Sequence, residues 1–475
     1  MKIAFVQQYP SPNFGILSLM AYLKHHGIDC EVIVWTLEDD PVKTLEELKP
    51  DLIGISTMTT QHPWMVESVQ DIRKRIPETK IMVGGIHAVL YPEEILAVPG
   101  VDLVCNSDGE RVLLEVCQTL DERSNGWSSI GGLTYRGEAG EIHSNRRADF
   151  FNNLPEIIED RSPYFSRYPV MAKDTVPRFI ASRGCPYNCS YCYNAQIKEI
   201  FKDSGKYLRH KEPENLIQEI SQICKKYEVE VESVFFMDDL FVANRKWLAS
   251  FLEKYKKAIG RPFMCAARAD LMDDDLAKML AEGGCKTVSF GLETGNQHIR
   301  EKILNKKITD EQIIRCGQVI RKYGMQVETY NMFCLPEESL QDAYKTIELN
   351  HKAGTHLAFC SLFLPLPNTG LTDYCIKKGF LKPGYSFSDM PKSFLTGGVL
   401  SINDKEAIVN VQRLSYFFVR YPWLYKNFRW IVRFRILKPL FFPLYLLSNF
   451  LRHKEERRRS FKSALYYAWQ FKNTI

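Results

Sequence analysis

The chain has 475 residues, of which 45% are hydrophobic and 25% charged, and it carries 13 cysteines. That length allows roughly two to four domains with ample core, and the composition is ordinary for a globular enzyme. Charge is uneven: Arg420 to Lys462 holds twelve Lys/Arg and two Glu, a segment of +10 within a total of +5, which leaves the body about −5 and excludes it as a nucleic-acid binder by charge.

The opening Met1-Lys2-Ile3-Ala4-Phe5-Val6 is short, apolar and β-like. It lacks the charged region, long apolar stretch and cleavage site of a secretion signal. With the cysteines scattered through predicted core, this points to free thiols in a reducing cytoplasm. Strands are expected at Lys2–Gln7, Asp29–Trp35, Asp51–Ser56, Lys80–Val83 and Val101–Cys105. They alternate with helices at Phe14–His26, Thr44–Leu48, Met65–Ile76, Glu93–Val98 and Glu110–Leu120. The pattern predicts an α/β fold with a doubly wound, Rossmann-like parallel sheet over residues 1–120. Such sheets bind ligands beyond the carboxyl ends of their strands. Those ends carry Asn13-Phe14-Gly15, Ser56-Thr57, Gly84-Gly85-Ile86-His87 and Ser107-Asp108-Gly109-Glu110.

Residues 121–176 read as a connector, with a β-hairpin from Ile130–Arg136 and Glu141–Asn145 and a Pro-containing linker at Asn153–Pro163. A second alternation fills 177–380. Its strands are expected at Arg178–Arg183, Ser233–Met237, Met264–Ala269, Thr287–Glu293, Gln326–Phe333 and His356–Leu364. Its helices are expected at Glu214–Lys226, Arg245–Ala258, Asp273–Glu282, Asp310–Tyr323 and Glu338–Ala353. Six βα repeats are too few for a closed eight-stranded barrel and predict an open (β/α)6 partial TIM barrel, with chemistry at the C-terminal strand ends. Residues 381–475 read as a helical, basic and aromatic C-terminal region.

Just after the first barrel strand, Cys185, Cys189 and Cys192 stand in a C-x3-C-x2-C run. Soft thiolates on one tight loop suit an iron–sulfur cluster, and three of them leave one iron of a [4Fe–4S] cube open to a small molecule. The competing readings are a zinc site, which usually takes four ligands, and three unrelated core cysteines. Polar residues also mark the later strand ends. Asp238 and Asp239 follow the second strand, as acceptors for an ammonium or ribose hydroxyls or as a helix cap with a solvated neighbour. Arg268 follows the third, as a carboxylate binder or one half of an ion pair. Glu293 closes the fourth, as an acceptor for ribose or ammonium or as a solvated cap.

The cysteine run, with the aromatic Tyr191 before its last Cys, resembles the signature of the radical S-adenosylmethionine (SAM) enzymes. Phe236-Met237-Asp238-Asp239-Leu240-Phe241, Ala267-Arg268-Ala269-Asp270 and Gly291-Leu292-Glu293-Thr294-Gly295 resemble, in order, segments of the subgroup with an N-terminal cobalamin-binding domain. So do Lys302–Lys306, Leu335–Ser339 and Leu364–Gly370. Where that subgroup usually has Gly before the Pro and a further Gly, this chain has Cys334-Leu335 before Pro336 and Glu337 after it. The resemblance spans roughly residues 1–380. It implies that Cys185, Cys189 and Cys192 hold a [4Fe–4S] cluster whose open iron binds SAM, with Tyr191, Asp238, Asp239, Arg268 and Glu293 around it. Reductive cleavage of SAM would give a 5′-deoxyadenosyl radical, in an anaerobic or oxygen-protected setting with an electron donor such as flavodoxin or ferredoxin.

The same resemblance implies cobalamin on residues 1–120, held by Asn13, Phe14, Gly15, Ser56, Thr57, Gly84, Gly85 and His87. The loop after the first strand has no His for cobalt, as in many members of the subgroup, and His87 reads first as a surface or helix-capping residue. The reaction so implied is cobalamin-dependent methylation of an unactivated carbon. Alternatives are cyclisation, oxidation or other radical chemistry in the same architecture and, more remotely, a non-catalytic cobalamin or redox sensor. A methylthio-transfer enzyme would usually carry a second cluster on three N-terminal cysteines, whereas Cys30, Cys105 and Cys117 fall in predicted strands or helices.

In the tail, Leu437–Leu451 is the most apolar stretch, but at 15 residues with Lys438 and two prolines it is too short to span a bilayer, which needs about 20 apolar residues. An interfacial helix flanked by Arg433, Arg435, Arg452 and Arg457–Arg459 fits attraction to anionic lipid, which would suit a lipid or other apolar substrate. The other reading is a segment packed on the barrel.

Overall fold

The computed structural model describes residues 1–456 apart from 123, 125, 153, 155–157, 227–230, 392–394, 396 and 397. Arg457–Arg459 and part of the 153–163 linker thus lie outside the described residues.

Lys2–Gln7 buries every residue but its first, as a strand covered on both faces must. It lies between Asp29–Val34 and Leu52–Ser56, with Lys80–Gly84 and Leu103–Cys105 beyond, all pairing in parallel. Ile33, Val42, Ile53, Ile72, Val83 and Ile95 join in one core. Strand order reverses between the first and third strands, the position where open α/β sheets bind ligands. Helix Phe14–His25 begins there, capped by the Asn13 side chain on the Ile16 amide.

The expected hairpin is no connector. Leu133–Arg136 adds antiparallel to Leu103–Cys105, and Ile142–Ser144 adds beyond it, to make a seven-stranded sheet. The reason is edge protection: Leu133 and Thr134 are fully buried against a strand that would otherwise present unpaired backbone groups.

The chain divides into two compact units, Met1–Asp174 with Ile197–Val229, and Thr175–Gln196 with the chain from Glu230 onward. Helix Pro213–Lys226, expected as a barrel helix, therefore belongs to the first unit. Buried charge explains it. The Lys211 ammonium lies 2.7 Å from Glu159 and 2.9 Å from Glu219, all three shielded from water, and Arg209 pairs with Asp108. Breaking one partner of such a buried set costs about 3–5 kcal/mol.

In the second unit six parallel strands follow in sequence order: Arg178–Phe179, Val234–Phe236, Phe263–Ala267, Cys285–Glu293, Gln326–Phe333 and Leu357–Leu362. The sheet is open, as the repeat count predicts. Helices Arg245–Ala258, Asp274–Glu282, Asp310–Lys322 and Leu340–Ala353 start on the side-chain caps Asn244, Asp273, Thr309 and Ser339.

The tail begins as part of this unit. Helix Lys405–Arg420 shares a core with Leu362, Tyr344 and Phe333, and the Gln412 amide donates to the Cys360 carbonyl, covering the last strand. Helix Lys438–Glu456 buries Phe441, Tyr445, Ser448 and Arg452. Arg452, expected on a lipid-facing flank, instead sets its guanidinium 4.6 Å from the Phe359 ring. Among the described residues no helix is long and apolar enough to cross a membrane.

Candidate functional site

The C-terminal ends of the barrel strands enclose a cavity of about 300 Å³ lined by all three motif cysteines, Tyr191, Asp238, Asp239, Arg268 and Glu293. Cys189 is buried, and Cys185 and Cys192 are half-buried; burial pushes the thiols of the latter two above their ordinary values. Among the described residues no three metal-ligating side chains converge on a point that one ion could fill. A cube, by contrast, presents its irons at separate corners. Two side-chain N–H donors approach the sulfurs, Arg268 Nη1 at 3.9 Å from Cys189 Sγ and Asn194 Nδ2 at 3.5 Å from Cys192 Sγ, and the backbone amides of Tyr187 and Asn194 donate to Cys185 and Cys192. Such donors stabilise cluster-bound thiolates, so the donor set fits an iron–sulfur cluster.

The cysteine loop is stapled in place. Ser190 donates its amide to Leu304 O and its hydroxyl to Ile303 O, and the Asn305 side chain donates to Asn188 O. Within the segment Lys302–Lys306, Ile303, Leu304 and Asn305 are therefore structural support for the loop.

Tyr191 and Glu293 meet: the hydroxyl donates to the carboxylate at 2.9 Å, and Lys306 adds its ammonium at 2.7 Å. Gly291 makes room, since a Cβ there would lie 2.0 Å from Glu293 Oε1 and 2.2 Å from Lys306 Nζ. Glu293 holds a left-handed backbone, φ 67°, at a shift in strand register. No local sequence signal marks Lys306 as a site residue; only the fold brings it to Glu293 at the end of the fourth strand.

Arg268 serves as an ion-pair partner, at 2.9 Å from Asp270, and stacks 3.6 Å from the centre of the Tyr187 ring. Asp238 is buried and turned back to the first strand, accepting from the Ala181 amide and the Ser182 hydroxyl; burial raises its pKa to about 6. Asp239 is exposed and accepts from Asn194 Nδ2 at 3.2 Å. It caps no helix, because Asn244 starts the next one.

In the loop at Pro336, Cys334 and Glu337 take φ of 60° and 65°. Two non-glycine residues thus hold the left-handed backbone that glycine adopts freely.

In the first unit, Asn13 Nδ2 donates to Ser56 Oγ at 3.2 Å, at the reversal of strand order. Gly85, φ 92°, lies so close to Thr57 that a Cβ would sit 2.6 Å from its carbonyl oxygen, whereas a Cβ on Gly84 would meet nothing nearer than 3.8 Å. Asn13, Ser56, Thr57, Gly84 and Gly85 thus form one small-residue rim, with Phe14 half-buried and Gly15 exposed beside it. Thr57 is itself buried, and Gly84 and Gly85 bring no side chain to the rim, so a nucleotide tail can approach the backbone at the two glycines and the rim fits cobalamin. His87 does not join the rim, nor is it a surface or capping residue. It is fully buried, 2.9 Å from His62 Nδ1, and burial lowers its pKa to about 3.

Residues 179–349 match the Radical SAM superfamily, and residues 3–117 match the B12 binding domain. An uncharacterized methyltransferase of Pyrococcus horikoshii is 28% identical over 381 residues, covering 78% of this chain and 80% of its own. An anaerobic magnesium-protoporphyrin IX monomethyl ester cyclase of Rubrivivax gelatinosus is 24% identical over 377 residues, 76% of this chain and 65% of its own. The fold is also that of the cobalamin-dependent SAM radical enzyme OxsB with aqua-cobalamin bound, at TM-score 0.70, 16% identity, and coverage of 100% of this chain and 80% of that one. The chain belongs to the cobalamin-binding-domain-containing radical SAM enzymes, which work with a [4Fe–4S] cluster, SAM and cobalamin.

Proposed function

We propose that the protein methylates an unactivated carbon of an apolar or lipid small molecule, at a membrane surface in the cytoplasm. The observation that carries the reading is one chain with both a three-cysteine cavity and a small-residue rim at a strand-order reversal. When bound, the cluster supplies the electron that cleaves SAM, and cobalamin supplies the methyl group.

The chain's own residues bind, orient and shield. Cys185, Cys189 and Cys192 would ligate the cluster, with Arg268 and Asn194 donating to the sulfurs of Cys189 and Cys192. Glu293, held by Tyr191 and Lys306, accepts from the amino or ribose groups of SAM, and Asp239 faces the same cavity from the second strand. Asp238 positions the broken first strand that leads into the cysteine loop. Asn13, Phe14, Gly15, Ser56, Thr57, Gly84 and Gly85 receive cobalamin, while His87 supports the rim from within. Flavodoxin or ferredoxin delivers the electron.

The likeness to a cyclase favours one second reading, radical cyclisation without methyl transfer. The test uses SAM deuterated in its methyl group, with dithionite as reductant and apolar acceptor candidates. Product carrying the label supports methylation. 5′-Deoxyadenosine formed with an unlabelled, altered acceptor supports the cyclase-type reaction instead.

A further inference from the structure

Ten of the thirteen large apolar side chains exposed among the described residues lie between Tyr421 and Leu447. Trp423, Trp430 and Leu440 are each more than half exposed, and Ile436 is 84% exposed. The rings pair along the surface, Trp423 with Phe428 at 6.2 Å and Trp430 with Phe434 at 5.5 Å. The following helix, Lys438–Glu456, buries Phe441, Tyr445, Ser448 and Arg452. At about 3.6 residues per turn the opposite side of its stretch from Leu440 to Phe450 carries Leu440, Pro443, Leu446, Leu447 and Phe450, with no polar residue among them, and Lys454 follows on the same line one turn later. A water-facing helix normally turns polar side chains outward, and an apolar patch of this extent marks a contact surface.

Charge decides the occupant. Residues 421–447 contain Lys426, Arg429, Arg433, Arg435 and Lys438 and no Asp or Glu. Lys426 and Arg433 are exposed beside the aromatic pairs. A second copy would set this positive face against another positive face. The chain's own residues 457–475 also carry five Lys/Arg and no acid, so they would repel it as well. Exposed Trp and aliphatic side chains interleaved with cations suit the headgroup and upper acyl region of an anionic bilayer.

We propose that residues 421–447 dock the protein on anionic lipid membranes, with Trp423, Trp430, Phe434, Ile436 and Leu440 inserted among acyl chains and Lys426 and Arg433 on the headgroups. This deepens the membrane-surface part of the proposed function and does not depend on methyl transfer, because docking is read without SAM or substrate. The test is co-sedimentation of the full chain with vesicles of equal parts phosphatidylglycerol and phosphatidylcholine, against phosphatidylcholine alone. Binding to the mixed vesicles, weakened about tenfold or more by Lys426→Glu with Arg433→Glu and by Trp430→Ser with Phe434→Ser, is expected. Both pairs are exposed, so unchanged circular dichroism confirms that the variants fold. Equal recovery with and without vesicles, or binding unaffected by either pair, would overturn the proposal. So would a parent dimer in sedimentation velocity that becomes monomeric in the Trp430/Phe434 variant without any vesicle binding.

Discussion

The Lys306 ammonium lies 2.7 Å from the Glu293 carboxylate, and both side chains are shielded from water. Removing one partner strands the other charge in the interior. Lys306→Met is expected to lower unfolding stability by about 3–5 kcal/mol in chemical denaturation. Adding Glu293→Gln should recover part of that loss; additive losses in the double variant would show that the two groups are not coupled.

Glu338 is fully buried, accepts from the Leu335 amide, and has its pKa raised by burial to about 8. Its folded-state value exceeds its unfolded one, so the native state binds the extra proton. The stability linked to it is full below the ordinary carboxyl value and is lost as pH rises through about 8. Glu338→Gln removes the titration while keeping an acceptor. Thermal denaturation between pH 5 and 9 should show a shallower decline in the variant, with the variant the more stable protein at about pH 9. An identical slope would contradict the assignment.

Gly85→Ala places a Cβ 2.6 Å from the Thr57 carbonyl oxygen on a backbone of φ 92°. The expected cost is more than about 1 kcal/mol, together with loss of cobalamin from the reconstituted protein. Gly84→Ala, with its nearest neighbour 3.8 Å away, should leave stability within about 0.5 kcal/mol. Equal behaviour of the two variants in denaturation would argue against a cradle built on Gly85.

Gln412→Ala uncovers the Cys360 carbonyl on the last strand. An unsatisfied buried acceptor costs about 1–3 kcal/mol. A denaturation midpoint equal to the parent's would mean that water replaces the amide.

Much of this was legible in the sequence. β-branched runs and their turn residues located Lys2–Gln7 and Gln326–Phe333 to the residue; the first is buried on two faces and reads as one apolar run, whereas the second intersperses Glu328, Thr329 and Asn331 among its apolar residues. The first barrel strand is broken near Ala181, since Asp238 takes the Ala181 amide and the Ser182 hydroxyl, a contact across 57 and 56 positions that no local pattern carries. Helix Pro213–Lys226 has an ordinary amphipathic sequence, and only the Lys211–Glu159–Glu219 cluster shows which unit holds it. In the site, the cysteine spacing was local and therefore readable. Lys306 and the staple from Ser190 to Ile303 and Leu304 are long-range, and His87 follows two rim glycines yet turns into the core.

The most direct test is anaerobic reconstitution with iron, sulfide and hydroxocobalamin, followed by metal analysis of the parent and of a Cys185→Ala, Cys189→Ala, Cys192→Ala variant. The parent should hold about four irons and about one cobalt per chain, and the variant should lose the iron and keep the cobalt. Iron retained by the variant would contradict the cysteine site, and a parent without cobalt would reduce the first unit to a scaffold.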